Sequence, residues 1–450
     1  MESGAVVVDE NGTRHTLRTC LGAGGQGEAW LTKAGRNVVK ILAPGRKAED
    51  LKRRIARVKR ADLSDLHVAK PLALLRPPHV GYVAEFLADM HPIANLLRPP
   101  QTGSKVGWYR DTGGLRRRLR LLAHTGEALH GLHAKGFSYG DVSHANVFVS
   151  APVQATEAWL IDLDNLTTES DPANNVYTPG FGAPEVVSGR DGATSLSDAW
   201  GFAVLTVQTL ALVHPFVGDM VEEGEPELEE AAFAGNLPWI DEPADARNRC
   251  SRGLDRAIVL SKHLRAHAAV TFGPGRTDRM QRTSVAKWTE TLHVAADRTI
   301  LCATCNSTFY EGRGTCPWCQ APAPRIHQVE VRRWEPGKGL VAPLKEAAGI
   351  VGTLTWSGGA MEISRRITHG ETGVAGRRLG LSIEPSPDGV CVRAPAGSVY
   401  AVAKATDDAK AATTACSDRG LPVTTKEPGY LIHCGPLDAR HRVLRIVRPA

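Results

Sequence analysis

Residues Phe137 to Ser150 read FSYGDVSHANVFVS, and two of their side chains, Asp141 and Asn146, stand five positions apart in a turn that runs into the β-prone Val147-Phe148-Val149. A carboxylate can accept a proton and an amide oxygen can hold a cation, and one short turn carries both. The next apolar run, Trp159-Leu160-Ile161 in AWLIDLDNL, delivers Asp162 at a strand end, where a metal-binding carboxylate would sit. Asp164 competes for that role, but the apolar run before Asp162 sets the frame and favours Asp162.

Working upstream, LGAGGQGEAWLTK (Leu21 to Lys33) clusters Gly22, Gly24, Gly25 and Gly27. Neither the Gly-Lys-Ser/Thr of a P-loop nor the strand-then-helix setting of a dinucleotide fold follows, so two short β-prone runs make this a hairpin. A glycine-rich hairpin is commonly only a turn; as a lid, its missing Cβ atoms would let backbone N–H groups face a triphosphate. Lys40 lies in the apolar strand NVVKIL, where a phosphate-binding cation would reach the same ligand. A desolvated lysine needs a carboxylate, and elimination assigns Glu49, at the head of KAEDLKRRIARVKR. Asp50 is a rival, and a solvated helix N-terminus explains Glu49 nearly as well. In VGYVAEFLADM a strand enters a polar turn, where Glu85 to Leu87 could offer backbone groups to adenine. Leu115 to His133 follow helical spacing and stop at Gly136, with His130 and His133 read as packing residues.

Downstream, YTPGFGAPEV contains Ala183-Pro184-Glu185, SLSDAWGFAVLTVQTL puts Asp198 at the head of an apolar helix, and RTSVAKW offers Arg282 as a partner for Glu185. Glycine loop, Lys40, Asp141 with Asn146, Asp162 and Ala183-Pro184-Glu185 occur in the order and spacing of a protein kinase. Residues 14 to about 295 therefore resemble a eukaryotic-like serine/threonine kinase domain of bacterial type. The resemblance implies an α+β, bilobal protein-kinase-like fold, and an enzyme that uses ATP and Mg2+. Its catalytic set would be Asp141, Lys40, Asn146 and Asp162, with Asn146 and Asp162 on magnesium. Nucleotide would lie against Gly22, Gly24, Gly25, Gly27, Lys40, Glu49, Glu85 and Leu87. Asp198 would hold the catalytic loop backbone, and Glu185 would pair with Arg282. Two departures stand out. Gly140 replaces the arginine of His-Arg-Asp, giving a non-RD type, and Ser143 replaces the lysine that steadies the transferred phosphoryl. Thr167, Thr168, Ser170, Tyr177 and Thr178 are possible self-targets.

The composition fits this reading. A chain of 450 residues, 42% hydrophobic and 23% charged, is globular with room for about three domains. Its 54 basic and 48 acidic residues leave +6, too mild to imply nucleic acid, and the runs at Lys52, Lys59 and Arg116 to Arg120 read as solvated helix faces. MESGAVVVDENG lacks a signal peptide's pattern, and Ala199 to Val213 reads as a buried core helix, so a cytoplasmic protein without a membrane is expected. Nine cysteines include Cys302, Cys305, Cys316 and Cys319 in CATCNSTFYEGRGTCPWC, two C-x-x-C pairs that suit a structural Zn2+. Cys20, Cys250, Cys391, Cys416 and Cys434 read as buried small apolar residues.

The expected organisation is a kinase N-lobe at 14–86, a C-lobe at 87–298, a four-cysteine zinc ribbon at 299–323 and a β-rich C-terminal domain at 325–450, with a helix around Asp407 to Cys416. A kinase followed by such a ribbon resembles the kinase of bacterial triads that also contain a von Willebrand A protein and a metal-dependent phosphatase. That implies these two as partners beside a protein substrate. Two functions are weighed: a protein kinase acting on serine or threonine in cytoplasmic signalling, and a nucleotide-binding pseudokinase scaffold recruiting partners through ribbon and tail.

Overall fold

The computed structural model describes residues 1–24, 27–43, 48–168, 176–387, 389–396, 398, 400–405, 413–416, 420–426 and 429–447. By compactness the chain divides into two units, one of residues 1–100 and 121–289 and one of residues 101–120 and 290–450.

The first unit begins with an antiparallel sheet of β1 (Val6–Val8), β2 (Arg14–Gly24), β3 (Gly27–Thr32), β4 (Asn37–Leu42), β5 (Pro71–Leu74) and β6 (Gly81–Glu85), ordered β1-β2-β3-β4-β6-β5. Leu17, Trp30, Val39, Ile41 and Val83 fill one face. Over the other lies α1 (Ala48–Arg60), which buries Leu51 and Ile55 against Leu42 and Tyr82. Leu51, Ile55 and Val58 recur at helical spacing while Lys52, Arg53, Arg57 and Arg60 stay exposed, so the basic helix is held by one apolar stripe. Each of these buried aliphatics is worth roughly 1.5–3 kcal/mol. Lys40 on β4 stands in register with Ala29 and Tyr82, which fixes the height at which its ammonium leaves the sheet.

Helices follow: α2 (Lys105–Asp111), α3 (Gly114–Ala134) and, after the short antiparallel strands β7 (Val147–Ser150) and β8 (Ala158–Leu160), α4 (Ser195–Ala211). A Thr194–Ser197 capping box starts α4, and the helix is buried from Ser197 almost throughout, as its apolar sequence anticipates. Trp200 stacks on Phe216 at 5.3 Å and meets Phe272 edge-on, so the helix centre is clamped by aromatics.

In the second unit, residues 101–120 correct one expectation. The arginine run on α3 is not a solvated face: Arg117 and Arg118 are buried. Arg118 donates to the Tyr109 carbonyl (3.1 Å) and to Thr112 Oγ1 (2.9 Å), and its guanidinium lies 3.9 Å from the Tyr109 ring centre. Burial lowers its pKa to about 10, and carbonyls and ring face replace water around the charge. Arg116 reaches Thr299 Oγ1 at 2.6 Å, tying the start of α3 to β9 (Thr299–Leu301), which pairs with β10 (Thr308–Tyr310).

Residues beyond 326 build two antiparallel sheets. One contains His327–Glu335, His441–Val447, Tyr430–His433 and Tyr400–Lys404; the other contains Met361–Ser364, Leu379–Ser386, Gly389–Arg393 and Leu421–Val423. Val329, Leu354, Ile363, Leu381, Val392, Ile432 and Leu444 form one core between them, in the alternation expected of facing sheets. The helix expected around Asp407 to Cys416 is corrected over its last four residues. Thr413–Cys416 is a strand paired with Tyr400–Lys404, in keeping with the β-branched Thr413 and Thr414, and 407–412 lie outside the described residues.

Candidate active site

Lys40 Nζ stands 3.0 Å from Asp162 Oδ2 and 3.1 Å from Asp164 Oδ1. Asp164 is 2% exposed and Asp162 30% exposed at the side chain, so one carboxylate is sealed behind the lysine and the other opens outward. Asp162 has φ 56 and ψ 52, a left-handed conformation uncommon for a non-glycine residue, reached where the chain leaves β8 for the turn Leu163–Asn165. Tyr82 Oη donates to Asp164 Oδ1 at 3.0 Å. Burial and then the charges of Asp164 and Asp162 push the Tyr82 phenol well above its ordinary range, which keeps it a donor. Burial pulls the Lys40 ammonium down, but Asp164 and Asp162 outweigh it and raise its pKa. Burial lifts the Asp162 carboxyl above its ordinary value, Lys40 opposes, and Asp164 adds to the rise. One ammonium thus faces a surplus of carboxylate, an arrangement with room for a further cation on Asp162.

Asp141 and Asn146 come together in the loop before β7. Asn146 Nδ2 donates to Asp141 Oδ2 at 2.8 Å and to its carbonyl at 3.0 Å, leaving the amide oxygen for another partner. Asp198, at the head of α4, holds this loop from beneath. It accepts from the backbone N–H of Tyr139 (2.7 Å) and Gly140 (2.8 Å) and contacts His133 Nε2 at 2.9 Å. The capping of α4 falls to Thr194, so Asp198 is free for the loop. His133 is therefore more than packing, because helical spacing on α3 delivers a polar contact to a buried carboxylate. Tyr139 Oη donates to the Ile161 carbonyl and links this loop to the strand that presents Asp162. Glu185 and Arg282 make a two-pronged ion pair, both contacts 2.7 Å, and the Arg282 side chain is 1% exposed.

Glu49 is not the partner of Lys40. It is 80% exposed at the side chain and bonds Lys52 at 2.8 Å, three positions along α1, a favourable place for a carboxylate in a first helical turn. Asp50's side chain lies outside the described residues. Sequence reading weighed Asp164 only as a rival metal ligand and missed it as the partner of Lys40, whose signal was a second carboxylate beside apolar residues, which must find a buried cation. It also missed Thr178 as a ligand. Expected as a self-target, Thr178 donates Oγ1 to Asp141 Oδ1 at 2.8 Å. Of the other expected self-targets, Thr167 is buried, Thr168 and Tyr177 are half-buried, and Ser170 lies outside the described residues. Ser143 Oγ is buried without a hydrogen-bond partner among the described residues.

Gly22 and Gly24 pair with Ala29 and Gly27 across the β2–β3 hairpin, and a Cβ on either would meet open space. Gly27 has φ +138, and a Cβ there would lie 2.1 Å from the Ile41 carbonyl, so this glycine is needed for the approach of β4. Gly25 lies outside the described residues. Glu85 ends β6 exposed, Leu87 is half-buried, and Phe86 N–H between them donates to the Arg36 carbonyl at 2.8 Å.

The four sulfurs of Cys302, Cys305, Cys316 and Cys319 lie within 4.8 Å of one another. Cys302 and Cys319 are 3.6 Å apart and Cys305 and Cys316 3.8 Å. A tetrahedron with metal–sulfur bonds of about 2.3 Å has edges of about 3.8 Å, so the donors fit zinc in kind and distance. Of the scattered cysteines, Cys250 and Cys434 are buried and Cys391 half-buried. Cys20 is exposed, on the part of β2 that projects beyond Leu17, and the Cys416 side chain lies outside the described residues.

Residues 113–252 match the protein kinase domain family. The chain is 26% identical over 321 residues to serine/threonine-protein kinase pkn2 of Myxococcus xanthus, an alignment covering 67% of this chain and 34% of that protein. It is 23% identical over 146 residues to serine/threonine-protein kinase 17A of Oryctolagus cuniculus, covering 32% of this chain and 36% of that one. The chain spans about a third of the length of these curated relatives. Among the described residues, no helix is long and apolar enough to cross a membrane. The family match and the two relatives support a protein kinase of the serine/threonine class.

Proposed function

We propose that this protein is a kinase that transfers the γ-phosphate of ATP to a serine or threonine hydroxyl on a protein, in bacterial cytoplasmic signalling. The observation that carries the proposal is the buried loop in which Asp141 is held by Asn146 and Thr178 while Asp198 holds the backbone of Tyr139 and Gly140 before it, alongside Lys40 and Asp162. In this reading residues 14–86 and 87–298 are the two lobes, and the hairpin at Gly22, Gly24, Gly25 and Gly27 with Glu85 to Leu87 encloses the nucleotide.

Asn146 and Asp162 would hold Mg2+, which when bound offsets phosphate charge. Lys40 stays an ammonium and orients the phosphates. Asp141 accepts the proton of the acceptor hydroxyl as its oxygen attacks phosphorus and the bond to the leaving ADP oxygen breaks. Thr178 and Asn146 each donate to one Asp141 oxygen and together fix the orientation of the carboxylate. Asp198, His133 and the Glu185–Arg282 pair position the loop without touching the reacting atoms. With Gly140 before Asp141, no arginine reads a phosphate on the segment before Ala183, so the non-RD site is expected to work without that phosphorylation. The ribbon at 299–323 holds a structural Zn2+, and the tail at 325–450 docks partners, a von Willebrand A protein and a metal-dependent phosphatase among them.

The test is transfer of labelled γ-phosphate, with nucleotide binding measured in parallel. Wild type should label itself or a basic protein substrate, and Asp141→Asn should lose about 10²- to 10⁴-fold in rate while still binding ATP. Wild type that binds ATP yet labels nothing would sink the enzyme and favour the scaffold reading.

A further inference from the structure

Resting on the kinase reading, we infer that Asp164, from the turn after β8, is the positioning residue that anchors Lys40, a duty that a glutamate on α1 would otherwise perform. Three observations converge. Lys40 Nζ contacts Asp164 Oδ1 at 3.1 Å. Glu49, the glutamate of α1, is on the surface and bonds Lys52. Asp164 is sealed from solvent at 2% exposure and receives the Tyr82 hydroxyl as a second donor on the same oxygen, Oδ1, that faces Lys40.

The division of labour between the two aspartates follows from exposure. Asp162 is partly open and can turn an oxygen to a metal, whereas Asp164 cannot reach outward and can only hold what is behind it. When a triphosphate and its metal engage Asp162, Lys40 keeps one buried carboxylate and remains aimed at the phosphates. The anchor sits two residues from the metal-binding aspartate on one short turn, so lysine and metal ligand are placed by a single element, Leu163–Asn165. An anchor on α1 would be a residue of the helix itself; here the anchor lies on the turn Leu163–Asn165, against which α1 packs.

The experiment measures affinity for ATP and for adenosine, and kcat and KM for ATP, in wild type, Asp164→Asn, Lys40→Met, the double variant, Tyr82→Phe and Glu49→Gln. Asp164→Asn should weaken ATP binding or kcat/KM by about tenfold or more through a misplaced ammonium and leave adenosine affinity unchanged. In the Lys40→Met background the same substitution should cost nothing further, since both changes remove one interaction. Tyr82→Phe removes a donor to Asp164 without touching charge and should shift ATP binding by a smaller factor in the same direction, again sparing adenosine. It also keeps the question open to test should Asp164→Asn fold poorly. Equal loss of ATP and adenosine binding, additive losses in the double variant, or a Glu49→Gln loss matching Asp164→Asn would overturn the inference. These binding readouts stand apart from wild-type phosphate transfer, whose absence would instead overturn the proposed function.

Discussion

The aspartates around Lys40 and the four-cysteine cluster both gather side chains that can bind a metal, yet one set is partly open and a metal would close the other. In the cysteine cluster four sulfurs lie within 4.8 Å of one another, and a zinc held by all four would keep no position for a substrate. In the cleft Asp162, Asp164 and Asp141 outnumber Lys40, and Asp162 stays partly exposed, so charge is left for something that comes and goes. A site that completes its own coordination stabilises the fold; a site held short of balance can do chemistry.

The most severe break in this comparison should come at the ribbon. Cys316→Ser with Cys319→Ser should lose about one equivalent of zinc by metal analysis, and structural zinc is worth about 10–16 kcal/mol in small zinc modules, so Thr299 to Tyr310 should become sensitive to proteolysis. Unchanged metal content would show that the four thiols are not a zinc site. Next in size is the Glu185–Arg282 pair. Arg282→Leu leaves a carboxylate partly buried and uncompensated and should cost about 3–5 kcal/mol in denaturant unfolding, whereas a change under about 1 kcal/mol would mean the pair is ornamental.

A smaller effect is expected from Thr178→Val, which removes the hydroxyl on Asp141. It should lower kcat about tenfold with KM for ATP unchanged if Asp141 is the proton acceptor proposed above, because the contact is to Asp141. A raised KM with intact kcat would place Thr178 in nucleotide binding. The mildest test uses pH on both units. Burial holds His214 and His433 down to about 4, with the neighbouring His441 adding to the effect on His433. The unfolded chain takes up these protons near pH ~6.5, so their stability is fully present above about 6.5 and lost as pH falls towards about 4. Melting temperature should drop between about pH 7.5 and 5, and less steeply in His214→Gln and His433→Gln; identical slopes would contradict the assignment.

How much of this was legible in the sequence depends on whether partners are close along the chain. The cysteines stand within one short segment, and the spacing alone brings their sulfurs together. Asp141 with Asn146, and Asp198 under the loop, were legible because loop and helix start each carry their own signal. The anchor of Lys40 was not, since elimination considered glutamates on the following helix while the partner lay 124 positions on. The arginines of α3 misled for a related reason: a charged run reads as solvated unless backbone carbonyls and a ring, here those around Tyr109, are known to be waiting. The contact of Thr178 with Asp141 was not legible, because an exposed hydroxyl and one bonded to a carboxylate look alike in sequence.

The most direct test of the open cleft is ADP formation from ATP with a basic protein substrate, titrated with magnesium, in wild type and Asp162→Asn. Magnesium-dependent turnover in wild type that falls at least about a hundredfold in the variant, with the protein still folded, is the predicted result. Turnover that ignores magnesium, or that survives Asp162→Asn, would contradict the account.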